Sequence, residues 1–385
     1  MKIDRAYLLD TLAQLVRINS INPSLSEGGA GESEIAKYIS KNLRQLGLET
    51  KIVDAAPGRS SVIATLKGTG GGKSLMLYGH IDTVGIDEMP EPFSAAVRDN
   101  KLYGRGSYDM KGSVAACMAA IHSLVGAIRE SPLRGDIIFV GPADEEFASI
   151  GMSEVLKHVR PNAAIITEPT ELEICLAHKG FVWLEVEVQG RAAHGSRFNE
   201  GVDANMRMGR FLAELDKLEQ ELRARQPHPQ VGPPSLHAAI LRGGTELSMY
   251  AANSKLQIER RTIPSETEAQ VVNEIQDIID RLAKSDSTFK ATVKTLLVRD
   301  SFEVSADAPI VTALSQAATD LLVQAPPFVG RPFWMDAALT SAAGIETVVM
   351  GPVGAGAHAK EEWVDLRSVE EMAMILAKTA INYCQ

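Results

Sequence analysis

The 385-residue sequence predicts an α/β protein: a layered domain on a mostly parallel sheet, interrupted by a smaller α+β insertion. Three observations predict it. Short continuous apolar runs, LMLY (75–78), DIIFVGPA (136–143) and AAIIT (163–167), alternate with helical stretches, as in sheets covered on both faces. The texture then changes at FVWLEVEVQG (181–190), where apolar and acidic residues alternate; period two marks a sheet with one wet face. Buried-strand texture returns with TVVMG (347–351). The expected domains are 1–178 joined with 293–385, and an insertion at 179–292.

The elements follow in order. Residues 4–19 and 31–47 carry helical periodicity, the second stopping at Gly47. Strands are expected at 48–53, 61–66 and 74–80, then an Ala-, Met- and Val-rich helix at 110–129 and a strand at 136–143. A short helix at 151–159 leads to strands at 163–167 and 173–178. The insertion reads as strand 181–190, helix 203–224, strands 236–242 and 255–262, helix 266–284 and a strand near 289–298. That order, β-α-β-β-α-β, makes a compact unit. Helices at 308–323, 335–343 and 367–383 flank the last strand, 347–351.

Composition narrows the function. A hydrophobic content of 45% and a charged content of 23% are ordinary for a globular chain, and the net charge of −10 argues against nucleic acid as a partner. No apolar run reaches membrane-spanning length, so no membrane partner is expected. The start, MKIDRAYLLDTLAQLV, is an amphipathic helix containing acids and does not read as a signal peptide. Cys117, Cys175 and Cys384 are far apart with no C-x-x-C, so a disulfide framework is not expected and a cytoplasmic setting is the simplest.

Five groups of polar residues stand where apolar strands end, the place where open α/β sheets put their sites. His80 and Asp82, after LMLYG, stand one residue apart, so an extended chain points both the same way. A metal-bound imidazole with a carboxylate on its other nitrogen has that spacing. Asp109 lies in GRGSYDMKG, Asp144-Glu145-Glu146 follow DIIFVGPA, Glu168 follows AAIIT, and His358 lies in the loop after TVVMG. Each has an ordinary reading alone: Asp109 as a helix cap, the triplet as an acidic turn, Glu168 as a loop acid, His80 and His358 as loop histidines. Together they put repeated unneutralised charge at buried strand ends. Two histidines with several carboxylates suit zinc or a similar divalent ion, and so many ligands suit two ions sharing one carboxylate. Adjacent Glu145 and Glu146 tend to point apart, leaving one free as a base.

The motifs GHIDTV, GRGSYDMKG, ADEE, TEPT and GAHAKEEWV occur in the order found in the two-zinc amidohydrolases and metallopeptidases that include acetylornithine deacetylase, succinyl-diaminopimelate desuccinylase, aminoacylase and a glutamate-releasing carboxypeptidase. The chain resembles that family over nearly its whole length. The resemblance implies that His80, Asp109 and Glu168 hold one zinc and Asp109, Glu146 and His358 the other, with Asp109 bridging. It implies that Asp82 orients His80 and that Glu145 is general base and acid. Cobalt or manganese are alternatives to zinc. The insertion resembles the family's lid, through which the chain is expected to form a homodimer. There GRAAHGSRFNEGVDAN implies that His194 polarises the substrate carbonyl, and ERRTIP implies that Arg261, rather than Arg260, grips a carboxylate. SMYAANSKLQIERR lacks the family's frequent Pro and Asn: Ala251 and Ser248 stand there, which leaves substrate choice open.

The implied reaction is hydrolysis of the amide of an N-acyl amino acid. A dipeptidase or carboxypeptidase using the same metals on a short peptide is the alternative, and a non-catalytic binding protein on this fold is the reading from another class. Retention of every ligand and of Glu145 argues against the last.

Overall fold

A computed structural model describes residues 2–128 and 133–385. The chain forms two compact units. The first joins Met1–Leu176, Val304–Val329 and Met335–Gln385; the second joins Ala177–Glu303 and Gly330–Trp334.

In the first unit, helices α1 (Arg5–Arg17) and α2 (Ser33–Gln45) precede strands β1 (Glu49–Ala56), β2 (Arg59–Leu66) and β3 (Leu75–Tyr78). Asp4 caps α1 by accepting from the backbone N–H of Ala6 and Tyr7. Two short strands, β4 (Ala96–Arg98) and β5 (Lys101–Tyr103), lead into a π-type turn at Ser107–Lys111 and helix α3 (Gly112–Ile128). The expected helix start at 110 moves to Gly112 because Asp109 and Met110 leave helical geometry, with φ of −117° and −136°. Asp109 is therefore not a cap of that helix. The expected end at Arg129 lies outside the described residues. Strands β6 (Ile137–Gly141), β7 (Ala163–Ile166) and β8 (Ile174–His178), with helix α4 (Ile150–Val155), follow.

The second unit runs β9 (Gly180–Gln189), α5 (Ala204–Ala224), β10 (Ser235–Gly243), β11 (Asn253–Thr262), α6 (Glu268–Ser285), β12 (Lys290–Arg299) and β13 (Phe302–Glu303). The chain then passes through α7 (Pro309–Thr319), β14 (Phe328–Arg331), α8 (Ala337–Ala342), β15 (Glu346–Val349), β16 (Gly354–Ala355), β17 (Trp363–Asp365) and α9 (Leu366–Tyr383). Strands of two to four residues, β4, β5, β14, β16 and β17, are too short to show periodicity, and none was expected.

The main sheet of the first unit has the order β1-β2-β6-β3-β7-β15-β8. Its centre, β6-β3-β7-β15, is parallel and its flanks are antiparallel. Leu75, Leu77, Phe139, Ile165 and Val348 are fully buried in the core with α3 and α9; burying each contributes about 1.5–3 kcal/mol. α3 packs against both α1 and α9, which explains why it is apolar all round. Among the described residues no helix is long and apolar enough to cross a membrane.

In the second unit an antiparallel sheet of order β10-β11-β9-β12 carries α5 and α6 on one face. Val186, Leu256 and Ile258 pack there with Phe211, Leu215, Ile275 and Ile278. The other face is polar: Lys294 pairs with Glu185 at 2.9 Å and Lys255 with Glu187 at 3.3 Å. The unit extends beyond the expected 179–292 because β12 pairs with β9 along its whole length. The adjacent Arg260 and Arg261 on β11 separate by the alternation of the strand. Arg260 is 1% exposed and donates to Glu266 at 2.6 Å and Glu274 at 3.3 Å. Arg261 donates through Nε to Glu259 at 2.6 Å and lies 5.2 Å from the Phe181 ring.

Arg260→Ala should therefore destabilise this unit by about 2–3 kcal/mol, since Glu266 and Glu274 lose the buried cation they share and keep only the more exposed Arg225. Arg261→Ala should cost less than about 1 kcal/mol. Urea denaturation of the two variants checks this; equal losses would contradict it.

Candidate dinuclear metal site

The four parallel strands of the first unit end at one edge of the sheet. The chain goes from β3 to β6 on one side and then to β7 on the other, which opens a crevice at the carboxyl end of β3. Gly79 closes β3 against α3, where a Cβ would stand 2.9 Å from Val114 Cγ2, and His80 follows. β6 runs into the Asp144-Glu145-Glu146 turn and β7 into Glu168. The Thr167 hydroxyl donates to the Tyr78 carbonyl at 2.6 Å, fastening these two strand ends together. β15 leads to Gly351, where a Cβ would lie 2.2 Å from the Glu168 carbonyl oxygen; only glycine lets the loop to His358 leave so close.

The structure brings the expected residues together in two groups that share one member. His80, Asp109 and Glu168 form the first, and Asp109, Glu146 and His358 the second; in each, one candidate ligand atom per residue lies within 4.8 Å of the others. Asp109 faces them with different oxygens. Its Oδ1 is 3.1 Å from His80 Nε2, and its Oδ2 is 3.4 Å from His358 Nε2. His80 Nε2 is 3.8 Å from Glu168 Oε1, and His358 Nε2 is 2.9 Å from Glu146 Oε2. Glu145 belongs to neither group; its Oε2 is 4.0 Å from His80 Nε2.

His80 Nδ1 points at Asp82, 3.1 Å from its main-chain oxygen and 3.5 Å from Oδ1. The main-chain oxygen is thus the nearer acceptor, and Nε2 is left turned toward the acids. The Asp82 carboxylate accepts from the backbone N–H of Glu145 at 3.1 Å and of Glu146 at 3.2 Å.

Charge in the crevice is crowded. Burial and the neighbouring Glu168 push the Glu145 carboxyl well up. Burial raises Glu168 likewise, and burial with Asp109 nearby raises Glu146 to about 7. Burial opposes ionisation of Asp109 too, yet hydrogen bonds from His358 and His80 hold it well below the usual carboxylate range. Asp109 and Glu146 in turn push His358 up to about 10. Glu146 Oε1 and Glu168 Oε1 are buried with no hydrogen-bond partner among the described residues. Excess buried acid, two unsatisfied carboxylate oxygens and two imidazoles fit a pair of divalent cations.

Several supporting residues escaped the sequence analysis. β16, β17, β5 and β4 form a small sheet, with Trp363 opposite Tyr103. The loops carrying Asp109 and His358 therefore leave neighbouring strands. Glu362, 2% exposed, ties them. It accepts from the backbone N–H of Gly106 and Tyr108 at 2.9 Å each and of Asp109 at 3.0 Å, and from Arg105 at 2.7 Å. Asp336 accepts from the Tyr78 hydroxyl at 2.7 Å, and burial raises it to about 6. A chance of finding Glu362 lay only in its position four residues after His358.

His194 and Arg261 lie in the other unit. His194 is exposed, with Nδ1 2.8 Å from the Ser196 hydroxyl.

Residues 76–382 match Peptidase family M20/M25/M40, and the chain belongs to that family. An acetylornithine deacetylase from Myxococcus xanthus is 28% identical over 338 residues, 86% of each chain. An N-formyl-4-amino-5-aminomethyl-2-methylpyrimidine deformylase from Bacillus subtilis is 27% identical over 382 residues, 91% of this chain and 89% of that one. Among solved structures, the YXEP protein of Bacillus subtilis, a dinuclear metal-binding peptidase of the M20 family, is similar with a TM-score of 0.76. It is 18% identical, over 99% of this chain and 98% of that one. The protein is a metal-dependent hydrolase of amides that uses divalent metal.

Glu362→Gln should lower the stability of metal-free protein by about 2–4 kcal/mol, because an amide cannot serve as a charged acceptor for three N–H groups and Arg105. The same variant should bind metal more weakly. Chemical denaturation and metal titration check the two effects; an unchanged unfolding midpoint would contradict the role given to Glu362.

Proposed function

We propose that the protein hydrolyses the amide bond of N-acyl amino acids, releasing a carboxylic acid and an amino acid, with two zinc ions as cofactor. One observation carries the reading: Asp109 offers a separate oxygen to each of two ligand groups while Glu145 stands beside them in neither. His80, Asp109 and Glu168 would hold one ion and Asp109, Glu146 and His358 the other. Bound there, the ions supply Lewis acidity, polarising an amide carbonyl and acidifying water. Two imidazoles favour zinc over magnesium or calcium, with cobalt and manganese next.

Glu145 takes a proton from the attacking water and gives it to the leaving nitrogen. Its buried position, which raises its proton affinity, suits a group that must hold that proton between the two steps. Asp82 fixes the ring of His80 and the backbone of Glu145 and Glu146. Arg261, whose guanidinium is tied only through Nε among the described residues, retains Nη donors for a substrate carboxylate. His194 would donate to the developing oxyanion. Buried Cys117, Cys175 and Cys384 suit a reducing compartment such as the cytoplasm.

The similarity to an acetylornithine deacetylase favours deacylation. The family also contains peptidases by its description, and a dipeptide presents the same amide and carboxylate, so peptide hydrolysis is the second reading. A panel of N-acetyl, N-succinyl and N-formyl amino acids against dipeptides separates the two. Higher kcat/KM on the acylated amino acids is expected; turnover of dipeptides alone would reverse the choice.

The roles of the paired glutamates have their own test. Glu145→Ala should lower kcat by at least ~10²-fold and still bind two ions per chain, whereas Glu146→Ala should lose one. The opposite metal contents would exchange the two roles.

The chain is further proposed to act as a homodimer through its inserted unit, with His194 serving the partner's site. Glu145→Ala and His194→Ala proteins, each inactive alone, should regain part of the activity once their subunits exchange. Exchange shown by mass without recovered activity would place His194 elsewhere.

A further inference from the structure

Asn22 lies in the loop between α1 and α2, far in the chain from every candidate ligand, and is fully buried. Its backbone N–H donates to the Thr83 carbonyl at 2.8 Å, next to Asp82. Its side-chain orientation follows from its partners. The backbone N–H of Ser24 donates to Oδ1 at 2.9 Å, so the amide oxygen faces that donor and Nδ2 faces the opposite way. Nδ2 then donates to two carboxylates: to Asp82 Oδ2 at 2.8 Å and to Asp144 Oδ1 at 3.0 Å. A primary amide has two N–H bonds, so both are used and each acid receives one.

The two acids so joined converge on one turn. Asp82 accepts from the backbone N–H of Glu145 and Glu146. Asp144 opens that turn in a left-handed conformation, φ +68°, and its carbonyl accepts from Ser149 at 2.6 Å. Two carboxylates this close repel when buried, and a cation supplies the balance. Arg59 donates to Asp144 Oδ1 at 2.6 Å and to Glu32 at 2.7 Å, with side-chain exposures of 7%, 1% and 0% for the three. Asp144, Glu145 and Glu146 are thus gripped through one neutral amide, with Arg59 offsetting part of the charge of Asp144 and Glu32.

We propose that Asn22 is a positioning residue: by donating one N–H to Asp82 and the other to Asp144, it sets the turn that aims Glu145 and Glu146 into the metal site. Serine offers one donor and reaches less far; aspartate would put a third acid where the donors belong. This inference rests on the reading of Glu146 as a ligand.

The test is a double-mutant cycle on metal affinity, made by titrating zinc into the metal-stripped full-length protein. Wild type should bind two ions; failure here would overturn the metal assignment itself, separately from Asn22. Asn22→Ala should then weaken binding about tenfold, the size seen when support of a ligand is removed. In an Asp82→Ala background the same change should cost less than about threefold, because a residue acting through Asp82 loses most of its effect once Asp82 is gone. Asn22→Ser, expected to lie between Asn22→Ala and wild type, carries the cycle if Asn22→Ala does not fold. An equal loss in both backgrounds, or no loss in the native one, would overturn the proposal.

Discussion

Buried negative charge is the constraint on which the first unit depends. Asp82, Asp109, Glu145, Glu146 and Glu168 crowd the carboxyl edge of one sheet, with His80 and His358 set among them. Taking a carboxylate out of water costs several kcal/mol unless it is paired or fully hydrogen-bonded. The fold meets this cost in two ways. Asp82 and Asp109 are satisfied by the chain itself, through backbone N–H groups and imidazoles, and stay ionised readily. Glu146 and Glu168 retain unsatisfied oxygens and are pushed up. That division suits cations: Glu146 Oε1 and Glu168 Oε1, the carboxylate oxygens left unsatisfied among the described residues, are ones that a metal would satisfy.

Rigidity follows from how the candidate ligands are mounted. Three come from turns directly after parallel strands, two of which, β3 and β7, are fastened at their ends by Thr167 to Tyr78. Asp109 and His358 come from loops of the small sheet, gathered by Glu362 and Arg105. Each loop is thus held at its base by buried charge-assisted hydrogen bonds, which are roughly twice as strong as neutral ones. A candidate ligand set assembled from five separate segments needs such ties, because an imidazole displaced by an ångström would no longer meet an ion.

The sequence exposed the candidate ligands more readily than their supports, for a physical reason. His80, Glu146 and Glu168 end apolar runs, so a polar residue there contradicts its surroundings and draws attention. The main strands and helices were legible by the same contrast, usually to within a few residues. Asn22, Arg59 and Glu362 contradict nothing locally: each sits in a polar loop or at a strand end, and its partners lie 60, 85 and 257 residues away for Asp82, Asp144 and Arg105. The small sheet was missed because strands of two or three residues have no period to read. The boundary at 292 differs for another reason: it cuts through β12, whose alternating burial continues to Leu297.

The central claim is that this geometry holds two ions bridged by Asp109. Anomalous diffraction from crystals of the full-length protein grown with zinc tests it most directly. The account predicts two peaks of comparable height, ~3.5–4 Å apart as in other two-metal sites, on either side of the Asp109 carboxylate. A single peak, or two that do not share Asp109, would contradict it.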